Sequence, residues 1–147
     1  MDAIDREIIV ALVADARRSL QDVAARVRLS ASATRERMRR LERDGPLVGY
    51  TARLDTAALG YALQALVHVE LAPGADPARF EAGLRDTAAV VEALHATGDH
   101  DYVVRVRCRD TRELDTVVRG FKGVLGAART LTRVVLDEPV PARPRLP

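Results

Sequence analysis

The sequence predicts an α+β chain: an N-terminal winged helix-turn-helix over residues 1–55, a linker at 56–60, a ferredoxin-like βαββαβ domain over 61–138, and a tail at 139–147. Three observations carry this. Before residue 45, apolar residues recur at helical spacing in three short segments, each behind a capping residue. Beyond residue 61, apolar and polar residues alternate at the period of a half-buried strand. Between them, Gly45-Pro46 stops the helical pattern.

Composition narrows the classes. With 48% apolar residues, 147 residues can bury a core in one domain or two small ones. Aromatics are only 3% and Trp is absent, which leaves little for stacking on single-stranded nucleic acid, so duplex is the better nucleic-acid partner. A single Cys108 excludes an internal disulfide and fits a reducing compartment. The start, Met1 to Asp5, lacks a signal peptide's basic and apolar regions, and the uncharged stretch from Thr56 to Val69 is too short to span a bilayer. A soluble, cytoplasmic protein without a membrane partner is expected.

In the first segment Asp2 is a candidate N-cap with Asp5 at the third helical position. Ile4, Ile8, Ile9, Leu12 and Val13 form one stripe of a helix ending near Asp15. Ser19 caps a second helix, whose Leu20, Val23, Ala24 and Val27 share a face. After the Arg28-Leu29-Ser30 turn, Ser30 caps a third helix running to Asp44, and two short helices so closely joined make a helix-turn-helix. Leu47 to Leu54 then reads as two extended pieces hinged at Gly49, a wing.

On the third helix Thr34, Met38 and Leu41 face inward, while Ser32, Glu36, Arg39, Arg40 and Arg43 project from the other side with Arg35 at its border. Residues 28–43 hold six Arg against two Glu, a local +4 within a net charge of +2. Such a face on an isolated helix is usually just solvated. The short turn and the polar N-terminal end, Ser30 included, instead suggest insertion into a major groove. Arg35 and Arg39 suit guanine edges, Arg40 and Arg43 suit phosphates, and Arg37 lies near the buried border.

In the second part, residues 61–72 hold a strand with Val67, Val69 and Leu71 on one face and Leu66, His68 and Glu70 on the other. Asp76-Pro77 starts a helix. Val90–Thr97 and Tyr102–Cys108 are strands around a Gly98-Asp99-His100-Asp101 turn, with Tyr102, Val104, Val106 and Cys108 inward. Asp110 with Glu113 starts a helix to about Phe121, and Ala128–Leu136 is the last strand. With both helices on one face, the other, bearing Leu66 and alternate positions of the last strand, is too apolar for water, so a second subunit is expected to cover it. His68 and His95 are expected at the subunit interface or on the sheet surface.

Several stretches then acquire joint meaning: Asp2-x-x-Asp5-x-x-Ile8-Ile9, Asp15-x-Arg17-x-Ser19, Leu29-Ser30, Arg37-x-x-x-Leu41-Glu42-x-x-Gly45, Gly49-Tyr50-Thr51-Ala52, Gly98-x-x-Asp101-Tyr102 and Thr130-x-Thr132. Together they resemble the leucine-responsive regulatory protein/AsnC family of transcription regulators, across nearly all of residues 1–138. The resemblance implies double-stranded DNA as partner, homodimers assembling into tetramers, octamers or larger, and an amino-acid effector held between dimers. By position, Gly98, Asp99, His100, Asp101 and Tyr102 would enclose the effector, with hydroxyls from Thr130 and Thr132. Arg28 stands where the family commonly has Gly, and a positive φ there would cost about 1 kcal/mol.

Two other classes compete. His95, Asp99, His100, Asp101 and Cys108 could be drawn as a catalytic or metal cluster, but no H-x-x-x-H, C-x-x-C or Gly-rich phosphate loop occurs, so no enzyme, metal or cofactor is expected. The remaining alternative is an amino-acid-binding, oligomeric interaction module without DNA binding.

Overall fold

A computed structural model describes residues 1–140, which cluster into two compact units, residues 1–53 and 54–139. The tail's Arg143 and Arg145 lie outside the described residues.

The first unit holds α1 (Ala3–Ala14), α2 (Leu20–Val27) and α3 (Ala31–Arg43). Each begins at its expected cap. Asp2 accepts from the Asp5 amide and Asp5 reaches back to the Asp2 amide, a complete capping box, while Ser19 and Ser30 accept from the Asp22 and Ala33 amides. Ile8, Ile9, Leu12, Val23, Val27 and Leu41 form the core, each buried side chain contributing roughly 1.5–3 kcal/mol. Val13, expected on the inward stripe, is exposed; Ala11 takes the buried position, because the stripe drifts around the helix by the second turn.

Arg28 ends α2 in the left-handed region, at φ 55° and ψ 42°. Its N–H donates to the Ala25 carbonyl at 3.3 Å and the Leu29 N–H to the Ala24 carbonyl at 3.0 Å, the two bonds of a Schellman closure. Leu29 then packs on the helical core, which sets the turn into α3.

The expected wing is not a pair of strands. Residues 47–55 carry no strand pairing among the described residues; they leave α3 through a Leu47 N–H to Leu41 carbonyl bond of 3.1 Å and a Tyr50 hydroxyl bond to Glu42 of 3.0 Å. Around Gly49 there are only a few residues on either side, too few to close a stable ribbon without a third strand.

The second unit runs β1 (Leu63–Leu71), α4 (Pro77–Asp86), β2 (Val90–His95), β3 (Tyr102–Cys108), α5 (Thr111–Gly123) and β4 (Ala127–Val134). The strands form one antiparallel sheet in the order β2-β3-β1-β4, the ferredoxin-like arrangement. Ala65, Val67 and Val69 of β1 and Tyr102, Val104, Val106 and Cys108 of β3 meet Phe80 and Leu84 of α4 and Leu114 and Phe121 of α5 in the core. Burial pushes the Cys108 thiol up from its ordinary value, so it is an inert core side chain.

Register fixes the two faces of β4. Thr130 pairs with Val69 and Thr132 with Val67, placing both on the helix-covered side; Arg129, Leu131 and Arg133 pair with Glu70, His68 and Leu66 on the open side. That open face is less apolar than expected, since two of the three outward positions of β4 are cations. Its centre is nonetheless a row of Leu94, Val103, His68 and Leu131 across all four strands.

Candidate nucleic-acid interface and ligand cleft

Helix α3 buries Thr34 and Leu41 and half-buries Met38, which turns its opposite side outward. The Thr34 hydroxyl donates to the Ser30 carbonyl at 3.0 Å, so the one fully buried polar side chain of the inward stripe is satisfied. Ser32, Arg35, Glu36, Arg39, Arg40 and Arg43 are all exposed. Ser30 spends its hydroxyl on the cap and lies 3.1 Å from that of Ser32. Arg43 approaches Asp44 at 3.3 Å. Arg35 and Arg39, one turn apart, form no side-chain hydrogen bond or ion pair among the described residues.

Arg40 departs from the expectation of a freely projecting cation. Its Nη2 lies 2.8 and 3.0 Å from the two carboxylate oxygens of Asp5, while Arg37 Nη1 reaches Asp5 at 2.8 Å and Asp2 at 2.6 Å. The spacing explains the pairing: residues 37 and 40 fall on the flank of α3 turned toward the start of α1. For Asp5, burial opposes ionisation, but the Asp2 amide, the Arg37 hydrogen bond and the Arg40 charge outweigh it and hold the carboxyl below its usual value. Asp2 is lowered as well, first by its Arg37 hydrogen bond and then by the Asp5 amide. Asp2 and Asp5 thus do more than cap, through pairs 32 and 35 residues apart that no local pattern signals.

In the second unit the Gly98–Tyr102 turn divides its residues between the faces. Gly98 and Asp99 are exposed, with Gly98 at φ 125°. His100 lies against His68 of the open face, ring centres 5.2 Å apart. Asp101 accepts the Leu71 amide at 2.7 Å, and its own amide donates to the Val69 carbonyl at 2.9 Å, pinning the turn to the end of β1. Tyr102 is buried against Phe80, with its hydroxyl donating to Glu81 at 3.0 Å; burial first, and then Glu81, push its phenol up.

His95, expected on the open surface, stacks instead on Tyr102, ring centres 4.8 Å apart, because it pairs with Tyr102 across β2 and β3 and so shares its face. That stack stands between two clefts. One of about 250 Å³ is lined by Leu71, Ala75, Pro77, Asp101 and the stacked pair. The other, about 500 Å³, adds Glu81, Leu84, Arg85 and Val90. Glu81 and Arg85, four apart on α4, were legible as a pair of opposite charges but not as cleft residues. Thr130 and Thr132 are half-buried on the same sheet face as Tyr102, separated from it by β1, and neither lines either cleft.

No helix among the described residues is long and apolar enough to cross a membrane. No group of three or more His, Cys, Asp or Glu among them is placed to hold a metal ion.

Comparison with known proteins bears on both units. Residues 1–42 match the AsnC-type helix-turn-helix domain, and residues 64–145 match the Lrp/AsnC ligand binding domain. The chain is 32% identical over 137 residues to the HTH-type transcriptional regulator LrpA of Mycobacterium tuberculosis, covering 93% of this chain and 91% of that protein. Among solved structures, a feast or famine regulatory protein from M. tuberculosis complexed with L-methionine superposes with a TM-score of 0.93 at 32% identity, over 99% of each chain. A transcriptional regulator from Neisseria meningitidis in complex with L-methionine gives 0.91 at 27% identity, over 100% of this chain and 96% of that one.

Proposed function

The chain belongs to the Lrp/AsnC family of helix-turn-helix transcriptional regulators, and on that footing we propose that it binds a specific duplex through the outward face of α3 and responds to an amino acid through its second unit. The observation that carries the first half is the exposed pair Arg35 and Arg39 on α3, without side-chain partners among the described residues. Their guanidinium forks suit O6 and N7 of guanine. Ser30, Ser32, Glu36, Arg40 and Arg43 flank them, with Arg40 and Arg43 directed to phosphates. In a homodimer two such helices would stand one DNA turn apart, roughly 34 Å, on an inverted repeat.

For the effector, the support is the cleft beside Asp101 and Tyr102 together with the L-methionine complexes of the two similar proteins. Gly98 and Asp99 supply the exposed turn beside that cleft, whereas His100, which lies against His68, and Thr130 and Thr132, which line neither cleft, are set apart from it. Because Asp101 already accepts a backbone amide, its role is to fix the turn, whose Gly98 and Asp99 N–H groups, without a partner among the described residues, meet the ligand. The open sheet face pairs two copies, and the dimers assemble further into tetramers, octamers or larger. The protein acts in the cytoplasm, as a regulator and not an enzyme.

One experiment tests both halves. The purified chain selects fragments from a random duplex pool, with and without each of the twenty amino acids, and the fragments are sequenced. A recurring inverted repeat whose recovery changes with at least one amino acid is expected. No enrichment over the pool would remove the DNA half; enrichment indifferent to every amino acid would remove the effector half.

A further inference from the structure

We infer that Asp5 is a positioning residue for DNA binding: from α1 it holds the Arg40 guanidinium so that its remaining donors meet a backbone phosphate of the duplex. The inference rests on the reading that α3 faces DNA and goes beyond it to a residue outside the recognition helix.

A capping residue at the third helical position needs only one oxygen, for the N-cap amide. Asp5 does more. Its carboxylate is 1% exposed and takes the Asp2 amide at 3.0 Å, Arg37 at 2.8 Å and both bonds from Arg40 Nη2. Removing an ion pair from water costs much of what the attraction returns, so stability alone is a weak reason for such an arrangement, whereas fixed orientation is a good one. Arg37 and Arg40 then differ. Arg37 is shared between two carboxylates and its side chain is only 25% exposed. Arg40 is 44% exposed and touches Asp5 through one nitrogen, so its Nε and Nη1 donors have no partner among the described residues. Those donors are not spent on Asp5, and Arg40 lies one residue after Arg39 and three before Arg43 on α3. An arginine so held has lost much of its rotamer freedom before DNA arrives, and the guanidinium can serve a carboxylate through Nη2 and a phosphate through its remaining donors.

The test is a double-mutant cycle on the full chain with the selected duplex, affinity being measured over a range of salt. Arg40→Ala should lower affinity and reduce the slope of log K against log salt by about 0.9, the value of one phosphate contact. Asp5→Asn should weaken binding on the order of fivefold, the scale of a partly ordered arginine side chain, and add nothing in the Arg40→Ala background. Equal effects of Asp5→Asn in both backgrounds, or tighter binding by it, would overturn the inference. Should Asp5→Asn fail to fold, Arg40→Lys decides: it keeps the charge but not the two-edged fork, so most of the loss seen with alanine is expected, and full wild-type affinity would overturn the inference. Wild-type protein that binds no duplex at low salt contradicts the parent reading instead, which separates the two failures.

Discussion

At Arg28 the backbone sits in the left-handed region, where a side chain costs an L-residue about 1–2 kcal/mol, and the Schellman bonds of Arg28 and Leu29 hold it there. Glycine removes that cost but loses more freedom on folding, about 0.5–1 kcal/mol. Arg28→Gly should therefore stabilise the first unit by up to about 1.5 kcal/mol in urea unfolding, and a clear loss of stability would show that the Arg28 side chain contributes something the geometry does not display. Asp2 and Asp5 carry the pH dependence of the same unit. Their folded values lie below the unfolded value near 3.9, so between the two the unfolded chain binds more protons. Their contribution is complete above about pH 5 and is lost as pH falls through the lowered values. Unfolding midpoints measured by the helical signal from pH 6 to pH 3 should drop more steeply in the wild type than in Asp5→Asn; parallel curves would contradict it. At this scale the sequence was legible wherever chemistry is local. Caps need only a Ser or Asp at one position, and a Gly replaced by Arg at a turn announces its own strain. The ion pairs across 32 to 35 residues were not legible, because they depend on how α1 crosses α3.

Elements were legible in proportion to how sharply burial divides their two sides. β3 alternates Tyr102, Val104, Val106 and Cys108 with Val103, Arg105 and Arg107, and the first set is the buried one, as the alternation demands. β4 is an edge strand whose Thr, Arg and Leu mix gives no such division. Its apolar positions were therefore assigned to the open face when only Leu131 is there. The same ambiguity misplaced His95, whose neighbour across the ladder, not its own strand pattern, sets its face. Residues 47–55 read as two extended pieces and remain extended, but pairing requires a second strand that the described residues do not bring to them.

For the whole molecule, the unresolved demand is the open face of the sheet. Leu94 and Leu131 are exposed at opposite ends of the central row, and between them His68 buries an Nε2 atom that has no hydrogen-bond partner among the described residues. Burial first, and then the nearby Arg133 and His100, lower the His68 pKa. The proposed second copy on this face would cover a row of Leu94, Val103, His68 and Leu131 flanked by Glu92, Arg105 and Arg133. Leu131→Glu should shift the protein toward monomer in sedimentation experiments while leaving its helical content intact; an unchanged assembly would place the subunit contact elsewhere.

The most direct test of the DNA account is methylation interference on the selected duplex, because guanine N7 lies in the major groove where α3 is expected to sit. Binding should fail for duplexes methylated at particular guanines of each half-site, and for Arg39→Ala the interference should vanish at the guanine that Arg39 reads while persisting at the others. Tight binding that ignores N7 methylation everywhere, with Arg39→Ala indistinguishable from wild type, would contradict it.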